Sequence, residues 1–208
     1  MFKKSVVIKR KVINWPSPDH RIILLGVVLL CGFVVGCAAI NGDSGNIKEL
    51  LSDLIIKTAQ NEKTKAFTYC LCDYALIYCL LPIIIFLLGF CAVGIPIICA
   101  GEFALGTAAG LVIGSIYSRF GSDGLGFCAL IIIPAAAILF AVCINAGVTG
   151  CTMSADILAR INGKTQGNDN LLYAYLKEFA IKIIPLAAAI TVGSGSLKIF
   201  GGLFDFIG

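Results

Sequence analysis

Charged residues are scarce in this sequence. Asp, Glu, Lys and Arg together make up 13% of the chain, whereas hydrophobic residues make up 59%. A soluble domain usually carries about 25% charged residues, because polar side chains have to cover its surface. The mean hydropathy of +0.97 points in the same direction. The composition therefore excludes an ordinary soluble domain and predicts an integral membrane protein.

Residues that could perform catalysis are also scarce. His20 is the single histidine, and its place at the start of an apolar run is typical of a solvated side chain at the membrane interface. Gly42-Asp-Ser-Gly45 looks like the sequence around a serine-protease nucleophile, but no histidine on that side of the membrane could activate it. The chain has neither a GxxxxGK nor an HExxH motif. We therefore predict that the protein is not an enzyme and needs no cofactor.

The ten cysteines do not form a recognisable framework. Most of them lie inside apolar runs, where a thiol behaves as a small hydrophobic side chain. Only Cys70-Leu-Cys72 lies near polar sequence, and its spacing matches neither a redox CxxC motif nor a zinc site. We expect no metal site.

Apolar runs of about 20 residues are long enough to cross a membrane as helices. The sequence predicts an all-α polytopic protein with five such spans, at residues 22–40, 74–93, 97–117, 127–149 and 179–197. The second and third spans are predicted to be separated by a turn at Gly94-Ile-Pro96, because proline disfavours helix in the residue before it. Lys182 and Pro185 interrupt the last span. Residues 22–208 then form one membrane-embedded domain after a basic segment, residues 1–21.

Loop charges predict the orientation. Six of the 16 Lys and Arg residues lie in residues 1–21, and basic segments favour the cytoplasmic side. The N-terminus and the 150–178 connection are then inside, whereas the 41–73 loop and the C-terminus are outside. The net charge of +4 reflects this topology, so we expect the lipid bilayer and no nucleic acid as a partner.

The 41–73 loop is predicted to contain an amphipathic helix outside the membrane. Residues 46–66 place apolar side chains on one helical face. The helix could lie on the lipid surface, bind a partner or pack on its own bundle. The candidate partner-binding residues are Leu50, Leu51, Leu54 and Ile55.

Glycines and one acid stand out inside the spans. Glycines four residues apart allow two helix backbones to approach closely, either within one bundle or between copies in a homo-oligomer. The candidate packing residues are Gly32, Gly36, Gly106, Gly110 and Gly114. Glu102 is the polar candidate inside the membrane, and it could be a tolerated acid near the interface, a proton or cation site, or a contact between chains.

The segment Leu87–Ile116, LLGFCAVGIPIICAGEFALGTAAGLVIGSI, resembles the central hairpin of the stage II sporulation protein M family. A first span that ends in a glycine pair and a proline inside the fourth span, Pro134, add to the resemblance, which covers roughly residues 20–150. The chain departs from the family at Leu105, where members usually carry a basic residue, and at Glu102, where they are usually apolar.

The resemblance implies a multi-pass protein of the bacterial cytoplasmic membrane that is itself not catalytic. Its best-known members hold a peptidoglycan-degrading complex at the membrane during endospore engulfment, with the membrane-anchored stage II sporulation proteins D and P as partners. The expected function is thus a membrane scaffold. The alternative is a small transporter, or the membrane subunit of one, that uses Glu102.

Overall fold

The computed structural model describes residues 18–42, 46–161 and 171–204, and within these ranges it contains helices and no strand. The predicted basic segment lies almost entirely outside the described residues. The helices are α1 (Pro18–Gly42), α2 (Asn46–Thr64), α3 (Phe67–Leu88), α4 (Gly94–Phe127), a π-helix (Cys128–Ile132), α5 (Ile133–Ile161), α6 (Leu171–Ile181), α7 (Ile183–Phe200) and a 3-10 turn (Gly201–Leu203).

Four helical stretches in the described part of the chain are long and apolar enough to cross a membrane. They are His20–Ile40, Phe67–Leu88, Gly94–Ile161 and Leu172–Phe200. The prediction of an all-helical protein of membrane type is therefore confirmed at this level.

The third stretch reverses direction at Gly121. Its 68 residues would extend about 100 Å as a straight helix, more than three times the roughly 30 Å of a bilayer core. Gly121 has φ 57° and ψ −126°, a conformation that glycine adopts far more easily than other residues. Beyond it the chain folds back, so that a Cβ on Gly150 would lie 3.0 Å from Cδ1 of Ile98. α4 and α5 are thus antiparallel neighbours.

The predicted turn at Gly94-Ile-Pro96 is wrong in position. α3 ends at Leu88, residues 89–93 form the turn, and α4 already begins at Gly94. Pro96 lies in the first turn of α4, where backbone N–H groups have no partner within the helix, so its missing N–H costs nothing. The proline therefore starts a helix rather than ending one.

The helices also extend beyond the predicted spans. α3 begins at Phe67 rather than at residue 74, and α5 continues to Ile161 rather than ending at residue 149. The last predicted span, 179–197, is part of a longer stretch in which α6 and α7 are separated by Lys182 alone. Apolar length indicates the part of a helix that suits lipid, whereas the helix itself continues into polar sequence.

Pro134 explains the π-helix before α5. Proline has no N–H to donate to the preceding turn, and a wider local turn is one way in which a helix accommodates this. The π-helix places Ile131 and Ile132 on one wall of a cleft beneath α2.

The core lies where α1, α3, α4, α5 and α7 meet, around the buried side chains of Leu25, Ile85, Ile98, Cys143 and Leu186. By contrast, α1 and α3 leave many large apolar side chains exposed, among them Leu30, Leu76 and Leu80. Such surfaces suit a lipid environment.

Candidate functional site

α1 and α4 are in direct backbone contact through four glycines. A Cβ on Gly32 would overlap the carbonyl oxygen of Phe103, and one on Gly36 would overlap that of Thr107. In return, Cβ atoms on Gly106 and Gly110 would overlap the carbonyl oxygens of Leu29 and Phe33. The two helices therefore fit together only because neither has a side chain at these positions.

Gly114 differs from the other predicted packing residues. A Cβ there would meet Cβ of Ile40 at 3.5 Å, which is an ordinary van der Waals contact. The structure thus brings four of the five glycines into tight contact and leaves room at the fifth. All five face α1 or α4 of the same chain, so this surface is already covered without a second copy.

Glu102 is completely buried between α1, α4 and α5. Its side chain is 0% exposed, and neither carboxyl oxygen has a hydrogen-bond partner among the described residues. A Cβ on Gly147 would lie 3.3 Å from Oε1 of Glu102 and 2.9 Å from Cδ1 of Leu25. The acid therefore packs against the bare backbone of α5 in apolar surroundings.

Two cations contact α5 just beyond Gly147. Arg21 of α1 donates a hydrogen bond to Oγ1 of Thr152 at 2.7 Å, and Lys182 donates to Oγ1 of Thr149 at 2.8 Å. At a rise of about 1.5 Å per residue, Thr149 lies roughly 3 Å and Thr152 roughly 8 Å along α5 from Gly147. Glu102 of α4, Arg21 of α1 and Lys182 thus approach the same stretch of α5, but the two threonines lie about 200° and 140° around the helix from Gly147, on its opposite face.

Lys182 also lines a cavity of about 400 Å³ beside α5, together with Asn145, Glu178 and Pro185. The lysine is the single irregular residue between α6 and α7. The sequence showed Lys182 as an interruption of a span, but gave no sign that Arg21 and Lys182 approach the same helix as Glu102. Contacts between residues so far apart in the chain depend on tertiary packing.

α2 does not use its leucines to pack on the bundle. Its buried residues are Ser52, Ala59 and Glu62. Leu50 and Leu54 are 64% and 56% exposed, and Leu51 and Ile55 are half-buried. Of the predicted apolar stripe, Ile55 packs against the core, whereas the side chain of Ile47 lies outside the described residues.

Polar contacts hold α2 at both ends. Near its start, Arg119 of α4 donates to Oγ of Ser52 at 2.9 Å and forms an ion pair with Asp53. After its end, Nζ of Lys65 lies 2.7 Å from Oε1 of Glu62 and 2.5 Å from Oδ2 of Asp73. Hydrogen bonds to Asp73 and Glu62 raise the pKa of Lys65 above its ordinary range, so this ammonium stays charged at neutral pH.

Comparisons with protein-family models, with curated proteins and with solved structures find no match. The resemblance to the stage II sporulation protein M family therefore stays a prediction from the residues in the 20–150 segment.

Replacing Glu102 with methionine is expected to stabilise the protein. The methionine keeps a similar length and removes a buried carboxyl group that has no partner, which costs about 1–3 kcal/mol. We expect a higher midpoint in thermal unfolding of the detergent-solubilised protein. Glu49→Met is the matched control, because Glu49 is exposed on α2 and its replacement should change stability by less than about 0.5 kcal/mol. A lower midpoint for Glu102→Met would mean that the carboxyl group has a favourable partner, such as a bound ion.

Proposed function

We propose that this protein is a non-catalytic membrane scaffold that recruits other membrane proteins through α2. The observation that supports the proposal is the way in which α2 is fixed. Arg119 and Lys65 hold its two ends, while Leu50 and Leu54 stay exposed, with Leu54 also at the edge of a cavity between α2 and α3. Exposed leucines on a helix that cannot rotate offer a fixed apolar surface, and such surfaces often mark interaction sites.

The proposal requires α2 to face the outside of the cell. We infer five crossings, with the long third stretch divided at Gly121 into two antiparallel ones, and with the N-terminus inside and the C-terminus outside. α2 and the Gly121 turn then lie on the outer side, and the turn at residues 89–93 lies on the cytoplasmic side.

Labelling of engineered cysteines with a membrane-impermeant reagent tests this topology. In a variant whose native cysteines are replaced by alanine, Lys57→Cys should react in intact cells and Val93→Cys should not. Both positions are exposed in the folded chain, Val93 by 66%, so protection of Val93→Cys reports the side of the membrane. Both cysteines should react after the cells are permeabilised. Reaction of Val93→Cys alone in intact cells would reverse the orientation.

The resemblance suggests which partners to look for first. Membrane-anchored peptidoglycan hydrolases have their catalytic domains on the outer side, where α2 would be available to them. Recruitment of such enzymes would explain why a scaffold needs a rigid outer helix. A role in sporulation and engulfment is proposed on the basis of this resemblance alone.

Changing Leu50 and Leu54 together to aspartate should release the partners. Because both side chains are exposed, the variant should insert and fold like the wild type while losing the apolar surface. The measurement is the amount of co-purifying membrane protein from native membranes, and we expect at least a tenfold decrease. Thr64→Asp, which adds a charge at another exposed position of α2, should retain the partners. If the double variant co-purifies the same proteins at wild-type level, α2 is not the recruitment surface.

Transport is the second candidate function, and the completely buried carboxyl group of Glu102 favours it. Ionisable groups inside a membrane are costly and are often part of an ion or proton path. The Glu102→Met variant distinguishes the two functions. A scaffold should keep its partners and its activity in cells, whereas a transporter that depends on this carboxyl group would lose activity while its partners stay bound.

A further inference from the structure

A cleft lies between α2 and α3, and its lining changes from apolar to polar. Two cavities of about 280 and 490 Å³ share lining residues on both helices and therefore lie side by side as the two parts of this cleft. The shared residues are Leu54, Thr58, Glu62, Asp73 and Ile77.

The deep end of the cleft is almost entirely apolar. It reaches the π-helix and α7, where its walls are Ala59, Phe127, Ile131 and Leu197. The mouth is polar and includes Lys57, Asn61 and Lys65. Ile77 borders both parts and is 67% exposed on the outer surface of α3. A hydrocarbon chain can therefore enter from the side that faces the lipid.

Glu62 lies where the two parts meet. Only 6% of this residue is exposed, although it carries a carboxyl group. Oε1 accepts a hydrogen bond from Lys65, and the thiol of Cys70 and the carboxyl group of Asp73 lie within hydrogen-bond reach of the same carboxyl group. Glu62 and Asp73 therefore share the ammonium group of Lys65, and this pair of carboxyl groups can accept a further hydrogen bond from a ligand in the cleft.

The charges around Glu62 indicate the kind of donor. Lys65 is shared between Glu62 and Asp73, and Lys198 of α7 donates to the backbone carbonyl oxygen of Lys65. Both lysines therefore already have partners within the protein. At the outer edge of the mouth, the exposed Lys57 lies with Asn61. The cleft thus offers a pair of carboxyl groups, Glu62 and Asp73, inside and a cation with an amide outside.

We propose that the cleft binds a zwitterionic phospholipid whose headgroup ends in a primary amine. One acyl chain occupies the apolar end, the ammonium donates to the carboxyl groups of Glu62 and Asp73, and the phosphate faces Lys57 and Asn61. Charge-assisted hydrogen bonds of this kind are about twice as strong as neutral ones. The lipid then fills the space between α2 and α3 and keeps α2 at a fixed distance from the bundle. The inference is independent of whether α2 recruits partners.

Competition between two lipids tests the proposal. The detergent-solubilised protein is equilibrated with equal amounts of dioleoyl-phosphatidylethanolamine and dioleoyl-phosphatidylcholine, and the bound lipid is identified by native mass spectrometry. The two lipids have the same chains and the same formal charges, but the trimethylated choline has no N–H to donate. We expect the ethanolamine lipid to be retained at least about fivefold better.

Glu62→Gln should remove this preference, so that both lipids are retained about equally. Glu49→Gln, which neutralises an exposed acid on the same helix, should keep it. Ala59→Leu narrows the deep end and should reduce the retention of both lipids together. Leu50 and Leu54 are unchanged in these variants, so a loss of lipid can be separated from a loss of partners.

Three results would overturn the proposal. The first is equal retention of the two lipids by the wild type. The second is an unchanged preference in a Glu62→Gln variant that unfolds at the wild-type temperature. The third is stronger retention of an anionic dioleoyl-phosphatidylglycerol. In that case the positive charge of Lys57 alone, and not the carboxyl groups, would select the lipid headgroup.

Discussion

The backbone contact between α1 and α4 is the constraint on which the rest of the structure depends. Four glycines on two helices interlock so closely that a methyl group on any of them would meet a carbonyl oxygen of the other helix. In a membrane, apolar side chains gain little from leaving lipid, so association depends on close packing of this kind.

This contact determines where the polar groups of α4 lie. Glu102 is one turn from Gly106, and fixing α4 against α1 directs its carboxyl group to the bare backbone of Gly147, with Leu25 of α1 beside it. At the other end of the same helix, Arg119 reaches Ser52 and Asp53. One helix pair thus supports both the buried acid and the outer helix, and a disturbance of the glycines should affect both.

Much of the fold could be predicted from the sequence, because composition and apolar length depend on the solvent rather than on tertiary packing. The membrane class is of this kind, whereas the close approach of α1 and α4 is a tertiary contact for which the spacing of the glycines is suited. The residues at which helices begin and end could be predicted less well. Pro96 was interpreted as a breaker, although a proline in the first turn of a helix does not disturb it. The predicted spans at 97–117 and 127–149 already implied that the chain turns back between them, and the structure has this turn at Gly121.

The candidate sites could be predicted only in part from the sequence. Leu50 and Leu54 were placed correctly on α2, but an apolar stripe does not tell whether it faces a bundle, a lipid or a partner. The helix instead packs through Ser52, Ala59 and Glu62. Nothing in the pattern of residues connects Glu62 with Asp73, or Lys182 with α5, because these contacts join distant parts of the chain.

Formation of a disulfide between Cys37 and an engineered Gly114→Cys tests the account most directly. A Cβ on residue 114 would lie 3.6 Å from Cα of Cys37 and has room there, which suits the geometry of a disulfide. With the other cysteines replaced by alanine, mild oxidation should join the two within one chain and give a monomer on a non-reducing gel. Gly101→Cys, placed where no atom lies within 4 Å, should not react with Cys37. Disulfide-linked dimers, or no disulfide at all, would contradict the account, because the glycines would then not join α1 to α4 of the same molecule.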